Sequence, residues 1–156
     1  MNISGNKVAV NFFDLSGSPN YQEIRNNFFS DAQVVLLVFD LENRESFNNI
    51  SKWENTMNSN GLNMKEAVIF LLGNKSDTKT KEVDASEVIA FAKKRGYEYF
   101  PTSASTGENI NEVFEKAFEK AVQLIDSKKK SLQWLVFFFH LFWSLNLFIL
   151  EKNTNL

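Results

Sequence analysis

Four short apolar runs alternate with stretches of helical periodicity along the first 125 residues. The runs are Val8 to Phe13, Val34 to Phe39, Ala67 to Leu72 and Tyr97 to Phe100. Their length and their content of β-branched and aromatic residues predict buried strands. Because strands that alternate with helices form parallel sheets covered on both faces, the pattern predicts an α/β doubly wound domain. Ligands of such sheets bind at the carboxyl ends of the strands.

Amphipathic segments follow three of these runs. The first has apolar residues on one helical face, at Phe47, Ile50, Trp53 and Met57. The second begins at Asp84, where Glu87 three residues later completes a capping-box pattern, and Gly96 predicts its end. A long apolar stripe predicts the third helix from about Asn109 to Ile125. These helices are expected to cover the sheet.

The composition changes near Asp126. Leu132 to Leu150 is almost wholly apolar, and Lys128 to Lys130 precede it. As a helix this segment would span about 28 Å, close to the hydrocarbon thickness of a bilayer. We therefore divide the chain into a domain at residues 1–127 and a basic-flanked apolar tail at residues 128–156, predicted to be helical. The sequence leaves two alternatives open for the tail, a membrane anchor and a read-through product.

Composition excludes several classes of protein. The 156 residues are 44% apolar, which suits one domain with a single core. The net charge of −2 comes from interspersed charges, so nucleic-acid binding is not expected. The absence of cysteine excludes disulfides, thiolate metal sites and cysteine-linked lipids, and His140 is the single histidine. Met1 to Asn11 does not have a signal-peptide pattern, so a cytoplasmic protein is expected, with membrane association only through the tail.

Polar motifs follow three of the predicted strands. Asp14-Leu15-Ser16-Gly17 matches DxxG, Asn74-Lys75-Ser76-Asp77 matches NKxD, and Thr102-Ser103-Ala104-Ser105 is a variant of the SAK loop. Singly, each motif is also a common way for a strand to end in a turn. In this order and spacing, over about Val8 to Val122, the chain resembles the Ras superfamily and within it the Rab branch. The stretch DLENRESFNNISKW is also similar to Rab sequences.

Two segments resemble a more specific group within this branch. VNFFDLSGSPNYQEIRNNFF and TSASTGENINEVF resemble the Rab-like GTPases that carry a C-terminal J-domain, although this sequence contains no His-Pro-Asp triplet. The resemblance implies a P-loop NTPase-type G-domain that binds GTP or GDP with Mg²⁺ and acts as a membrane-traffic or signalling switch. It also implies effector or regulator proteins that bind the region from Asp14 to Phe29. Contact with a membrane would run through Leu132 to Leu150.

The resemblance implies a role in guanine recognition for the second and third motifs. Asp77 would accept hydrogen bonds from N1 and N2 of guanine, which adenine cannot offer, so discrimination of order ~10⁴ is available. Asn74 would tie the loop together and touch the base edge, while the stem of Lys75 would lie over the ring. The backbone N–H of Ala104 would meet the guanine O6. Its neighbours in the loop, Ser103 and Ser105, complete the predicted base site.

The phosphate side differs from the family pattern. Asp14 would hold Mg²⁺ through water, and Gly17 would offer its N–H to the γ-phosphate. Ser18 stands where the family has the glutamine that orients the attacking water, so no catalytic residue is assigned and slow GTP hydrolysis is expected. Only 13 residues precede Asp14, and no GxxxxGK[ST] loop occurs in the sequence. Weak nucleotide binding, or none, is therefore an open alternative.

The same resemblance implies that the first strand, phosphate loop and first helix of the family are missing from this sequence. Two open sheet edges are then expected, at Val8 to Phe13 and Val34 to Phe39, and Ser4 to Lys7 is predicted to be a turn. An incomplete gene model, a splice product and a degenerate paralogue would each explain this truncation. The rival functional hypothesis is a nucleotide-free interaction module. A third, an unrelated α/β enzyme, is disfavoured because no nucleophile, base or metal cluster accompanies the motifs.

Overall fold

The computed structural model of the chain describes residues 2–3, 6–7, 9–127 and 135–140. For residues 2–3, 6–7, 19, 125–127 and 135–140 it describes the backbone alone. The strands are β1 (Asn2–Ile3), β2 (Asn6–Lys7), β3 (Val10–Asp14), β4 (Val34–Asp40), β5 (Val68–Asn74), β6 (Glu98–Pro101) and β7 (Leu135–His140). The helices are α1 (Gln22–Asn26), α2 (Arg44–Asn48), α3 (Ile50–Ser59), α4 (Ala85–Arg95) and α5 (Ile110–Ser127). Short 3₁₀ turns lie at Pro19–Tyr21 and Phe29–Asp31.

A parallel five-stranded sheet organises the chain, in the order β3-β7-β4-β5-β6. Helices cover both faces, so the predicted α/β doubly wound class is confirmed. The four apolar runs all form strands, with bounds that differ from the predicted ones by at most two residues. Asn6 and Lys7 were predicted to be in a turn. That is wrong, because they form β2 and pair antiparallel with β1.

The central strand β4 shows why the domain has two apolar layers. Side chains alternate between the faces of a strand. Val35, Leu37 and Phe39 pack in one buried cluster with α2, α3 and α4. Val34, Leu36 and Val38 pack in the other, against α5. All these side chains are buried, which is the pattern expected for a strand covered on both faces.

The predicted helix around Phe47 and Trp53 is two short helices, because the chain turns at Asn49 between α2 and α3. All four residues of its apolar face are nevertheless buried. The Asp84 side chain caps α4 by accepting the Ser86 N–H at 2.7 Å. Gly96 ends α4 with φ of +73°, a left-handed conformation that glycine adopts without a steric penalty.

The largest correction concerns the secondary structure predicted for the C-terminal tail. The helix predicted for it is wrong at Leu135–His140, which forms β7 between β3 and β4. A continuous apolar run has no periodicity that separates a buried strand from a helix, and strands on both sides satisfy its backbone hydrogen bonds. The two open edges expected at β3 and β4 are therefore paired. The remainder of Leu132 to Leu150, and Lys128 to Lys130, lie outside the described residues.

The described helices also bear on the membrane hypothesis. Across the parts of the chain that the structure describes, no helix combines the length and the apolar character needed to cross a bilayer.

Candidate functional site

The loops after β5 and β6 are joined to each other. The Ala104 N–H donates to the Asn74 Oδ1 at 3.1 Å. The Ser76 N–H donates to the Thr102 carbonyl at 2.9 Å, and the Thr102 N–H donates to the Gly73 carbonyl at 2.8 Å. Because β5 and β6 are neighbours in a parallel sheet, their carboxyl ends meet at one edge. The structure thus brings the NKxD and SAK-type motifs together.

Asn74 and Ala104 form the tie between these two loops. The side-chain oxygen of Asn74 accepts from the same backbone N–H that, by the family resemblance, is expected to meet the guanine O6. A bound guanine would therefore share the Ala104 N–H with Asn74 or displace the side chain from it. Three-centre hydrogen bonds of this kind are common in proteins.

Lys75 is held by two carboxylates. Its Nζ lies 2.6 Å from Asp40 Oδ2 and 3.2 Å from Glu42 Oε2. Hydrogen bonds to Asp40 and then Glu42 raise the pKa of Lys75 above its usual value. Its backbone has φ of +64°, an uncommon conformation for a residue with a side chain. The ammonium group is thereby fixed at the end of β4, and the aliphatic stem is left partly exposed above the loop.

A second set of contacts holds the segment after Asp77. The hydroxyl of Thr78 donates to the Glu42 carboxylate, and the Thr80 hydroxyl donates to it at 3.3 Å. The pKa of Glu42 is lowered, first by the hydrogen bond from Thr78 and then by the one from Lys75. Glu42 therefore links both sides of the NKxD loop.

Asp77 differs from its neighbours in the loop. Its side chain is exposed, and within residues 9–124 it has no hydrogen-bond or ion-pair partner. By contrast, Lys75 is paired, the Ser76 hydroxyl donates to Glu108, and Thr78 donates to Glu42. The arrangement presents one unused carboxylate on a loop whose other polar groups are engaged.

The SAK-type loop is shaped by Ser103. This residue is fully buried, and its Oγ accepts the Thr106 N–H at 3.1 Å. Its carbonyl accepts the Gly107 N–H at 2.8 Å. Ala104 and Ser105 are exposed at the tip of the turn that results. The buried serine thus positions the exposed part of the loop beside Asn74.

Asp14 and Gly17 lie at the carboxyl end of β3, at the same edge of the sheet. Three strand spacings separate β3 from β5, so the two parts of the predicted site are about 14 Å apart. Asp14 lines a cavity of about 580 Å³ whose wall includes Phe13, Tyr21 and Ile24. Partial desolvation there raises the pKa of the Asp14 carboxyl. The structure therefore places the DxxG loop away from the NKxD and SAK-type loops, on the far side of β7 and β4.

Arg25 is a residue that sequence reasoning missed. It is only 8% exposed, its Nη1 donates to the Ser16 carbonyl at 2.6 Å, and its guanidinium lies 4.5 Å from the centre of the Trp53 ring. Burial lowers the pKa of Arg25. The contact anchors the DxxG loop to α3. No spacing pattern marks a single arginine in a short helix, so the sequence carried no signal for it.

Ser18 takes part in the local turn. Its Oγ accepts the Asn20 N–H at 3.4 Å, and its N–H donates to the Ser16 Oγ at 3.2 Å. These bonds shape the start of the 3₁₀ turn after Gly17.

Comparison with known proteins identifies the family of the chain. The sequence model of the Ras family matches residues 1–123. The chain belongs to the Ras family. Among similar proteins, DnaJ homolog subfamily C member 27 of Gallus gallus is 38% identical over 133 residues, which is 82% of this chain and 48% of the relative. The Danio rerio protein of that name is 37% identical over 132 residues, covering 82% and 48%. The Homo sapiens protein is 36% identical over 135 residues, covering 83% and 49%.

These relatives confirm the predicted resemblance to Rab-like proteins with a J-domain, since each is named as a DnaJ homolog. The chain spans about half the length of the curated relatives it matches.

Ras-family domains in general bind guanine nucleotide with Mg²⁺. The base side of this chain fits such a ligand, because the unpaired Asp77 carboxylate can take two donors and both loops are tied in place. On the phosphate side, no GxxxxGK[ST] occurs in the 156 residues. Nor do the described residues contain a group of three or more acidic or histidine side chains that could hold a metal. Asp14 is the residue that the family resemblance would place near Mg²⁺, through a water-mediated contact.

Gly73 lies near the end of β5, just before the NKxD loop. A Cβ at this position would lie 2.9 Å from Tyr99 Oη and 3.1 Å from Phe39 Cζ. We expect Gly73→Ala to cost about 1–3 kcal/mol in the free energy of unfolding, because overpacking forces these rings to move. Urea unfolding monitored by fluorescence measures the change.

The double variant Gly73→Ala with Tyr99→Phe provides the control, since it removes the oxygen of the closest contact. It should recover part of the loss. If the two single changes add without any recovery, the clash with Tyr99 is not the cause.

Proposed function

We propose that this Ras-family domain binds guanine nucleotides selectively, through the loops Asn74–Asp77 and Ser103–Ser105. The proposal rests on one observation, the exposed and, among the described residues, unpaired side chain of Asp77. Its carboxylate is exposed and, within residues 9–124, unpaired. The loops on either side are joined by the Ala104 N–H, which donates to Asn74, and by the N–H groups of Ser76 and Thr102.

The chemistry of the base explains the selectivity. Guanine presents N1–H and N2–H donors side by side, and one carboxylate can accept both. Adenine has no such pair, so its binding would desolvate Asp77 without replacing the lost water. A site built around a polar contact can reject the analogue that lacks it by about 10⁴-fold.

In this proposal the phosphates contribute less to the binding affinity than the guanine base does. Asp14 must be deprotonated to hold Mg²⁺ through water, and its raised pKa works against that at low pH. These 156 residues include no GxxxxGK[ST] sequence, whose backbone N–H groups and lysine would bind the phosphates. Recognition of the base should therefore dominate the affinity. The proposal is for binding and assigns no residue to catalysis.

A role as a cytoplasmic signalling or membrane-traffic switch follows if partner proteins bind the region from Asp14 to Phe29. One observation also favours the second candidate, a protein-interaction module. Tyr21 and Ile24 are 55% and 60% exposed beside the cavity at β3. Exposed apolar side chains next to a cavity are typical of surfaces that bind other proteins.

Competition binding to the full chain tests the proposal. A fluorescent guanosine diphosphate would be displaced by GDP, GMP and ADP in turn. We expect GDP and GMP to compete within about tenfold of each other, and ADP to compete at least about 100-fold more weakly. Equal competition by GDP and ADP, or no binding of either, would contradict the guanine site and leave the interaction module as the better reading.

A further inference from the structure

Among the described residues, no segment from the N-terminal half of the chain lies between β3 and β4 in the sheet. β3 and β4 do not pair with each other, although they are consecutive strands along the chain. The space between them, here termed the strand slot, is bounded by Val10–Asp14 on one side and Val34–Asp40 on the other. Leu135–His140 lies in it, parallel to both.

We propose that the strand slot is a strand-binding site, and that the C-terminal segment Leu135–His140 is its ligand, bound within the same chain. The segment acts as an interior strand of the sheet, between β3 and β4, and comes from the C-terminal part of the chain. It is therefore a part of the folded domain and not a membrane anchor.

The backbone register supports a complete strand. Val10 to Asp14 pair with Leu135 to Phe139 on one side of the segment. Val34 to Leu37 pair with Phe137 to His140 on the other. The segment reads LVFFFH, and such a continuous apolar run is typical of a parallel strand covered on both faces. The backbone of β7 thus has a strand to bond with on each side.

The burial of β4 also supports a strand in the slot. Val34, Val35, Leu36 and Leu37 are each between 0% and 2% exposed. With an empty slot, this strand would present an apolar open edge, which folded proteins avoid because it invites pairing with other chains. A resident strand removes that edge.

The DxxG loop and the NKxD loop should depend on β7 to different degrees. Among the strands that the structure describes, β3 pairs with β7 alone, so β7 connects it to the sheet. The contact between Arg25 and Trp53 assists. The guanine loops instead follow β5 and β6, which pair with each other on the far side of β4. Loss of β7 should loosen the loop from Asp14 to Gly17 and spare the NKxD loop.

Cutting the folded chain tests where the segment resides. A recognition sequence for a site-specific protease is inserted between Ser127 and Leu135 in the full chain, and the purified protein is cleaved. We expect the C-terminal fragment to co-elute with the domain in native buffer, as a monomeric complex, and to separate only in denaturant. Release on cleavage, or transfer of the fragment to added phosphatidylcholine vesicles, would overturn the proposal. A dimer with exchanged segments would overturn binding within one chain.

Proline substitution provides an independent test. Phe138 pairs in register with Phe13 and Val35, and proline there removes an N–H from the ladder. The matched control is Asn146→Pro, in the tail outside β7. We expect Phe138→Pro to speed amide hydrogen exchange in β3 by at least about tenfold, with a smaller effect in β5 and β6. Asn146→Pro should leave exchange in β3 unchanged.

A chain that carries Phe138→Pro and fails to fold, beside an Asn146→Pro chain that folds, would support the same conclusion. Identical behaviour of the two variants would overturn it, because a segment outside the sheet has no reason to distinguish them.

Discussion

Asp77→Asn should weaken GDP binding by about 100-fold or more and shift the preference toward xanthosine diphosphate. The carboxylate can accept two hydrogen bonds from guanine, and bonds to a charged group contribute about 1.5–3 kcal/mol each. An amide offers one acceptor and one donor. Its N–H₂ faces the guanine N2 donor unfavourably, but it suits the C2 oxygen of xanthine.

The measurement is competition among GDP, ADP and XDP for the full chain and the variant. The full chain is required because β7 belongs to the sheet. Glu119→Gln is the matched control, since it removes one exposed negative charge from α5, outside both guanine loops. It should leave the GDP to ADP ratio unchanged. If Asp77→Asn also leaves that ratio unchanged, Asp77 does not recognise the base.

Phe70→Ala should lower the free energy of unfolding by about 3–5 kcal/mol, since removing a buried aromatic ring loses its transfer energy and leaves a cavity. Phe70 is fully buried in β5, and its ring centre lies 5.6 Å from that of Phe100 in β6. These two strands lead into the NKxD and SAK-type loops. A loss of this size is a large share of the roughly 5–15 kcal/mol that stabilises a typical domain.

Denaturant unfolding of the two proteins measures the difference. Ile89→Ala serves as the control, because Ile89 is also a large apolar residue but is 54% exposed on α4. It should change the free energy of unfolding by no more than about 0.5 kcal/mol. Similar losses for both variants would mean that the Phe70 ring is not packed in the core as the structure shows.

Local sequence patterns were sufficient for most of the architecture. The run from Val34 to Phe39 predicted the buried strand β4, and Asp84 and Gly96 predicted the two ends of α4. The reason is that burial on both faces of a strand, and the capping of a helix, leave signals in neighbouring residues. The bounds were less accurate, since β5 continues to Asn74 where its ladder with β4 ends.

The NKxD and SAK-type loops were located from sequence, but the contacts within and between them were not. The motifs identified Asn74 and Ala104, while the bond between the Asn74 side chain and the Ala104 N–H depends on the pairing of β5 and β6. Likewise, Lys75 pairs with Asp40 and Glu42, which lie more than thirty positions earlier in the chain. Contacts at such separations leave no periodic trace in a single sequence.

The sequence by itself determined the alternation of strands and helices, the order of the three motifs and the resemblance to the Ras superfamily. Each depends on residues that are close together along the chain. Only the tertiary structure decided that Leu135–His140 is a strand and that it lies between β3 and β4. An apolar segment is equally suited to a bilayer, a buried helix or a buried strand. The unpaired edges of two distant strands selected the last of these, because they satisfy its backbone hydrogen bonds.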